Sequence, residues 1–493
     1  MINIELKEDG KDGLNKLYFK GGKFSHVTGS KLKFLPFSTK YNKDCKSDFS
    51  VFQGVVGECF RISIDKQFNK ELIKDKESSF KTKLKKHILE EAVKKVDTEQ
   101  PEDFKEVIIN LFFEEDGDLI KFNKKMLSYM HFINEHAILK ETSKFFYDIF
   151  LNTKILNNKD LIKSENDNLF YKLIIESLPE LEDKPKVKSS IKYTNVFDEI
   201  TKLFLSDFNT LSNREDLFLE HIEDLFKYYY FFYLSQTAIS LNNFGESKVI
   251  KPICYSMDWE TLSETRRSYN FGWKHTLLDL ENLFSHANTL ELLNYISIND
   301  EKIGDYAKIV ERYKKLSEIE AKDFILKIKE LSEFYKPQIE SLKSPFKMGK
   351  NWLDCENSLS NRLSAKKFNN EIQVEIYSLF YRIDYQFKNS QRDKPYKDYS
   401  NWLIDFFKSN YTKFRGRLGY TTSINQETLL FLTKICINNK DKIRLKSLWS
   451  KLEQRGISFD ETSKVEIVKL FERINLLEKK SDSGDAQYVK SII

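Results

Sequence analysis

The sequence predicts a mainly α-helical fold: a multi-helical body, a small β-containing N-terminal region and a C-terminal winged-helix-like module. Three observations carry this. Glycine (16) and proline (8) are scarce in 493 residues, too few to punctuate an all-β chain of tight turns. Apolar residues recur at helical spacing, as at Phe80, Leu84, Ile88, Leu89 and Ala92. Aromatic residues reach 14%, with 40 Phe and 24 Tyr, and large rings suit the seams between helices.

Residues 1–64 hold seven of the sixteen glycines and short β-like runs at 17–19, 31–37 and 49–64, so a strand-rich or irregular region is expected there. Gly21, Gly22 and Gly29 read as turns. A helical domain is expected over 65–184, with helices at 80–96, 103–113, 118–139 and 141–151. The charged stretch 181–188, which contains Pro185, reads as a linker. A second helical domain, 185–345, has helices at 195–208, 214–241, 276–298 and 300–335, the last closed by Pro337 and Pro345. A basic connector, 346–420, holds helices at 367–387 and 398–413 and then an Arg-Gly loop.

The segment 421–493 has the sharpest local pattern. Helices are expected at 427–437 and 443–455, with Gly456 ending the second in a left-handed conformation. A third helix starts after Asp460, with Ser463 and Glu466 as a capping box, and presents Ile467, Leu470, Phe471 and Ile474 on one face. Two β-like runs, 476–480 and 486–490, flank the turn-forming 481–485. This is the element order of a winged helix, whose third helix can enter a major groove while the hairpin touches the backbone. Lys464 and Lys469 would lie on that helix's open face, with Lys479 and Lys480 at the wing. Glu461, Glu466 and Glu472 dilute the positive charge, so contact with protein alone is an equally open reading.

Net charge is +5, but unevenly placed. Residues 343–493 carry 28 Lys+Arg against 18 Asp+Glu, while the first 342 carry 52 against 57. A polyanion would be drawn to the C-terminal third; ordinary solubilising charge is the plainer alternative. In the loop after residue 413, Arg415, Arg417 and Tyr420 offer two guanidinium forks for phosphate and a ring for stacking. The same arginines could instead bridge domains through carboxylates. Arg266 and Arg267, between Trp259 and Trp273, read first as a helix surface packed under aromatics.

Catalytic signatures are missing. No GxxxxGK[ST] phosphate loop occurs. The Glu-x-Lys pairs at Glu5 and Glu320 lack a partner aspartate on a preceding strand. His131 and His136 are five apart and diverge on a helix, so no metal is expected. The five cysteines are dispersed, arguing against a disulfide framework or zinc knuckle. No apolar run is long enough for a signal core or membrane span, which leaves the cytoplasm as the expected location, with no membrane contact and no cofactor.

Three segments together resemble the DptG (DndG) family, a subunit of the DNA phosphorothioation-dependent Dnd restriction system: Phe34-Leu-Pro-Phe-Ser-Thr-Lys40 with Gly54-Val-Val-Gly57, Arg415-Gly-Arg-Leu-Gly-Tyr420, and Lys479-Lys-Ser-Asp-Ser-Gly-Asp-Ala-Gln-Tyr-Val-Lys490. The resemblance implies a bacterial antiviral defence role beside DptF-like and DptH-like subunits, the latter similar to a nucleotide-driven translocase, restricting DNA that lacks the sulfur mark. It carries over no catalytic residue. The expected function is therefore a non-enzymatic adaptor in a multi-subunit complex, holding duplex DNA mostly by its backbone through Arg415, Arg417, Lys464, Lys469, Lys479 and Lys480. The alternative is a pure scaffold that docks partner subunits without touching DNA.

Overall fold

The computed structural model describes residues 4–6, 19–20, 23–24, 26–43, 52–69, 79–130, 137–152, 168–184, 191–246, 248–340, 345–390, 392–479 and 487–491. The protein is mainly α-helical with small β regions. Its axis is the helix Glu215–Leu241, almost every residue of which from Leu225 onward is buried. The aromatic run within it explains why. Its rings face outward all round, and every side meets a partner: Tyr230 against Phe406, Phe231 stacked on Phe407, and Tyr229 edge-on to Phe204. Each ring removed from water contributes roughly 1.5–3 kcal/mol, which lets this helix organise the body without an amphipathic stripe.

Around it lie Asp198–Ser212, Leu283–Leu293, Glu371–Lys388 and Asp393–Asn410. One large apolar core runs from Ile4 to Val489. A separate, smaller cluster joins Leu84, Ile88, Ile108, Phe112 and Ile174 from the helices Phe80–Lys95, Pro101–Phe112 and Leu169–Glu176.

Strand pairing draws distant parts of the chain together. Ile253–Met257, buried throughout, lies between Ile457–Phe459 and Tyr420–Ile424, parallel to both. Thr412–Phe414 adds antiparallel at the far edge. The fully buried Ile253–Met257 is as expected for a strand covered on both faces. At the C-terminus, Gln426–Ile437, Lys442–Arg444, Leu445–Gln454, Glu461–Arg473 and a pair of strands, Leu477–Lys479 and Gln487–Lys490, follow in order. Lys442–Arg444 and Leu477–Lys479 both pair antiparallel with Gln487–Lys490.

Several expectations need correction. The run 49–64 is not strand-like where described: Gln53–Ser63 is a buried helix. Gly57 sits there because a Cβ would lie 2.4 Å from the carbonyl oxygen of Met130, so helix packing and not a turn demands glycine. The expected helix 118–139 is instead a loop, a 3-10 turn at Lys124–Tyr129 and the start of Ala137–Phe146. Leu181–Asp183 is no free linker but a strand paired with Lys66–Phe68. Helix 276–298 divides at Asn282 and ends before the strand Ile296–Ile298. Pro337 lies inside Glu318–Glu340, and the helix Trp352–Ala365 was missed. Helix 461–473 is capped by the Asp460 side chain accepting from the Ser463 N–H, not by Ser463.

Candidate nucleic-acid interface

The hairpin formed by Thr412–Phe414 and Tyr420–Ile424 turns through Gly416 and Gly419, both at positive φ (55° and 72°). This tight turn splits the two arginines. Arg415 folds inward: its guanidinium donates to the Met257 carbonyl oxygen (2.8 Å) and the Glu260 carbonyl oxygen, and its Nε to Thr421 Oγ1 (3.0 Å). Desolvation lowers its pKa, while Glu260 and Asp258 oppose the shift. Its donors serve the fold, tying the hairpin to the end of the central strand. Arg417 is exposed at the tip and makes no hydrogen bond or ion pair within the described residues.

The lysines on the C-terminal helix sit beside acids. Lys464 pairs with Glu461 (2.8 Å), Lys469 with Glu466 (2.7 Å) and Lys479 with Glu472 (2.5 Å). Lys480 lies outside the described residues, as do His131 and His136. Such surface pairs are individually weak, but they cancel the field that would attract a phosphate backbone.

The N-terminus of that helix is also closed off. Arg266 donates to both Asp460 oxygens (2.9 and 2.7 Å) and to Glu260 Oε2 (2.7 Å). Ser463, fully buried, donates to Glu260 Oε2 (3.0 Å), and Ser268 donates to Asp460 Oδ2 (2.9 Å). Burial alone would raise the Asp460 pKa, but the bonds from Arg266, Ser463 and Ser268 outweigh it and hold the carboxyl well below its usual range. A helix that reads a major groove does so through its N-terminal residues; here that end is buried against the central sheet. Arg266 is thus the arginine that bridges through carboxylates, the part the sequence reading left open for Arg415 and Arg417.

A different set of cations gathers near the hairpin. The short helix Arg267–Asn270 and the start of Trp273–Glu281 pack on Tyr420–Ile424, so closely that a Cβ on Gly272 would lie 2.1 Å from Thr422 Oγ1. Tyr420 contacts Phe414 and Trp273, with ring centroids 5.2 and 6.1 Å away. Lys408 stands 4.1 Å over the Tyr420 ring, Lys274 4.5 Å over Tyr269, and Arg267 5.9 Å over Phe271. None of these three cations has a carboxylate within ion-pair distance among the described residues. Phe271 and Phe414 are 56% and 61% exposed. Cations resting on rings keep their charge, and open rings offer stacking faces.

The sequence reading missed Lys274, Lys408, Phe271 and Phe414 because their proximity depends on a parallel pairing across 160-odd residues of chain, in which Ser256 meets Ser423. The only local signal was the Arg266/Arg267 pair between two tryptophans. Elsewhere, no group of three or more His, Cys, Asp or Glu is placed to hold a metal ion among the described residues. No helix of the described residues is long and apolar enough to cross a membrane. The fold and this surface define a class: a mainly helical protein with an open cationic, aromatic edge. No protein-family model and no curated protein matches the chain.

Proposed function

We propose that this chain is a non-catalytic, DNA-associated adaptor subunit of a cytoplasmic bacterial restriction assembly that acts on DNA lacking phosphorothioate. Its partners would be DptF-like and DptH-like subunits. The family assignment rests on the three resembling segments. The DNA association rests on one observation: the cations Arg267, Lys274, Lys408 and Arg417 lie unneutralised around exposed Phe271 and Phe414. Contact at this edge moves the DNA from the third helix of the C-terminal segment, read as a winged helix, to the hairpin beside it. Phosphates would meet the cations, and an unpaired base could stack on the open rings.

The scaffold reading has its own support in the acid-paired lysines and the closed N-terminus of Glu461–Arg473, which suit a protein-facing module. Fluorescence anisotropy with a short duplex and a short single strand, at low and raised salt, separates the two. The adaptor reading expects binding whose log–log salt slope falls by about 0.9 on duplex for each phosphate contact removed. Lys274→Ala/Lys408→Ala/Arg417→Ala should therefore flatten it by roughly two to three units. Wild-type protein that ignores both probes at low salt, yet co-purifies with its partner subunits, would leave the scaffold alone standing.

A further inference from the structure

Away from the hairpin, a cleft of about 400 Å³ opens between Trp352–Ala365 and Glu371–Lys388. This is within the range of small-molecule sites, roughly 300–1,000 Å³. Tyr377, Phe380, Tyr381, Asp384 and Lys388 line it from one face of the second helix, and Arg362 and Lys366 come from the end of the first. The floor is fixed: Phe380 stacks on buried His286 (centroids 4.2 Å apart), whose ring nitrogens meet Asn242 Oδ1 (3.1 Å) and the Tyr306 hydroxyl (3.2 Å). Burial, and then the positive charges of Lys388 and Lys366, hold that imidazole neutral.

Three cations thus line the cleft against one carboxylate. That carboxylate, Asp384, is already occupied: it pairs with Lys388 (2.8 Å) and accepts from Ser285 (2.9 Å) and Tyr396 (3.3 Å). Arg362 and Lys366 have no carboxylate within ion-pair distance among the described residues. They lean on rings instead, Arg362 5.1 Å from the Tyr381 centroid and Lys366 4.7 and 4.9 Å from those of Phe244 and Tyr377. Most cations on this protein's helices sit beside an acid; these two are held in place with their charge uncompensated.

We propose that this cleft binds a small organic phosphate of nucleotide size. The surplus of two positive charges matches a phosphate monoester, which carries about −1.5 to −2 at neutral pH, better than a carboxylate with its single charge. The aromatic walls suit a sugar or ring beyond the phosphate, and a concave site of this volume is too narrow for a duplex. Arg362 would grip two phosphate oxygens through its planar fork, with Lys366 and Lys388 as point charges.

Isothermal titration calorimetry of the full chain with AMP, UMP and ribose phosphate, and with adenosine as the uncharged control, tests this. At least one phosphate should bind and adenosine should not. Arg362→Ala/Lys366→Ala should weaken binding by roughly 10- to 100-fold for each charged hydrogen bond lost, with an unchanged melting curve because both side chains are exposed. A 5′-phosphorylated oligonucleotide that competes with the bound phosphate would identify a strand end as the source; one that does not would identify a free metabolite. Failure of all three phosphates to bind, or equal binding by the double variant, overturns the proposal. Neither result touches the DNA edge, whose cations are different residues.

Discussion

Charged side chains inside this protein act as ties between elements. Asp207 and Arg455 form a buried pair at 2.5 Å, and the Tyr229 hydroxyl also donates to Asp207 (2.5 Å). Removing one member of such a pair strands the other in low dielectric, so the cost falls on the partner left behind. Glu356 makes a similar but more open tie. It accepts two parallel bonds from Arg382 (2.8 and 2.9 Å) and pairs with Lys336 (2.8 Å), joining three helices. The Arg382 bonds, helped by Lys336 and opposed by desolvation, pull its carboxyl down to about 2. An unfolded glutamate titrates at ~4.3. The folded pKa is therefore the lower one, and the tie stabilises the protein fully above the unfolded value. That contribution is lost as pH falls through the folded value. Thermal melting of wild type should decline between about pH 5 and pH 2 more steeply than that of Glu356→Gln, which lacks the titrating group. Parallel declines would mean that other carboxylates carry the acid sensitivity.

At the scale of elements, glycine shows what local pattern does and does not reveal. Gly456 was legible as a helix terminator, and it adopts φ 77°. Its second duty was not legible: a Cβ there would lie 2.5 Å from the Phe232 ring, because the turn is pressed onto the aromatic helix by Arg455, whose carbonyl oxygen accepts from the Tyr228 hydroxyl. Gly349 has the same φ, 77°, with nothing within 4 Å of where a Cβ would stand. The pair separates backbone strain from close packing. Gly349→Ala should cost about 1–2 kcal/mol. Gly456→Ala should cost roughly 2–5 kcal/mol, since overpacking adds to the same strain. Urea denaturation of the two variants reads the difference, and equal costs would remove the packing contribution. The same distinction explains the misread Gln53–Ser63: Val55, Val56 and two glycines look strand-like in sequence, but a helix buried on most sides has no polar face to betray its period. The helix Glu215–Leu241 escaped that fate through its length, since a strand does not run for 27 residues.

Over the whole molecule, helical content and the order of elements in 426–493 could be read from periodicity and turn residues, because both are local. The candidate face could not, because parallel pairing leaves no mark on the residues that it brings near each other. That pairing also changes what the C-terminal segment is. An appended module would present its third helix freely; here Ile457–Phe459 is an edge strand of the central sheet, Asp460 neutralises Arg266, and Arg455 neutralises Asp207. Ending the chain after Asn425 would uncover the edge of Ile253–Met257, expose Phe232 and leave both Asp207 and Arg266 without their counter-charges. A bared apolar strand edge is a template for aggregation, and a single unpaired buried charge costs about 3–5 kcal/mol, a large share of the roughly 5–15 kcal/mol that holds a domain folded. The shortened chain should therefore be recovered as aggregate, with little monomer on size-exclusion chromatography. A monodisperse product with the melting temperature of the full chain would mean that the segment folds as an appendage after all. Its third helix would then be free to turn outward, and Lys464 and Lys469 would return as candidates for DNA contact.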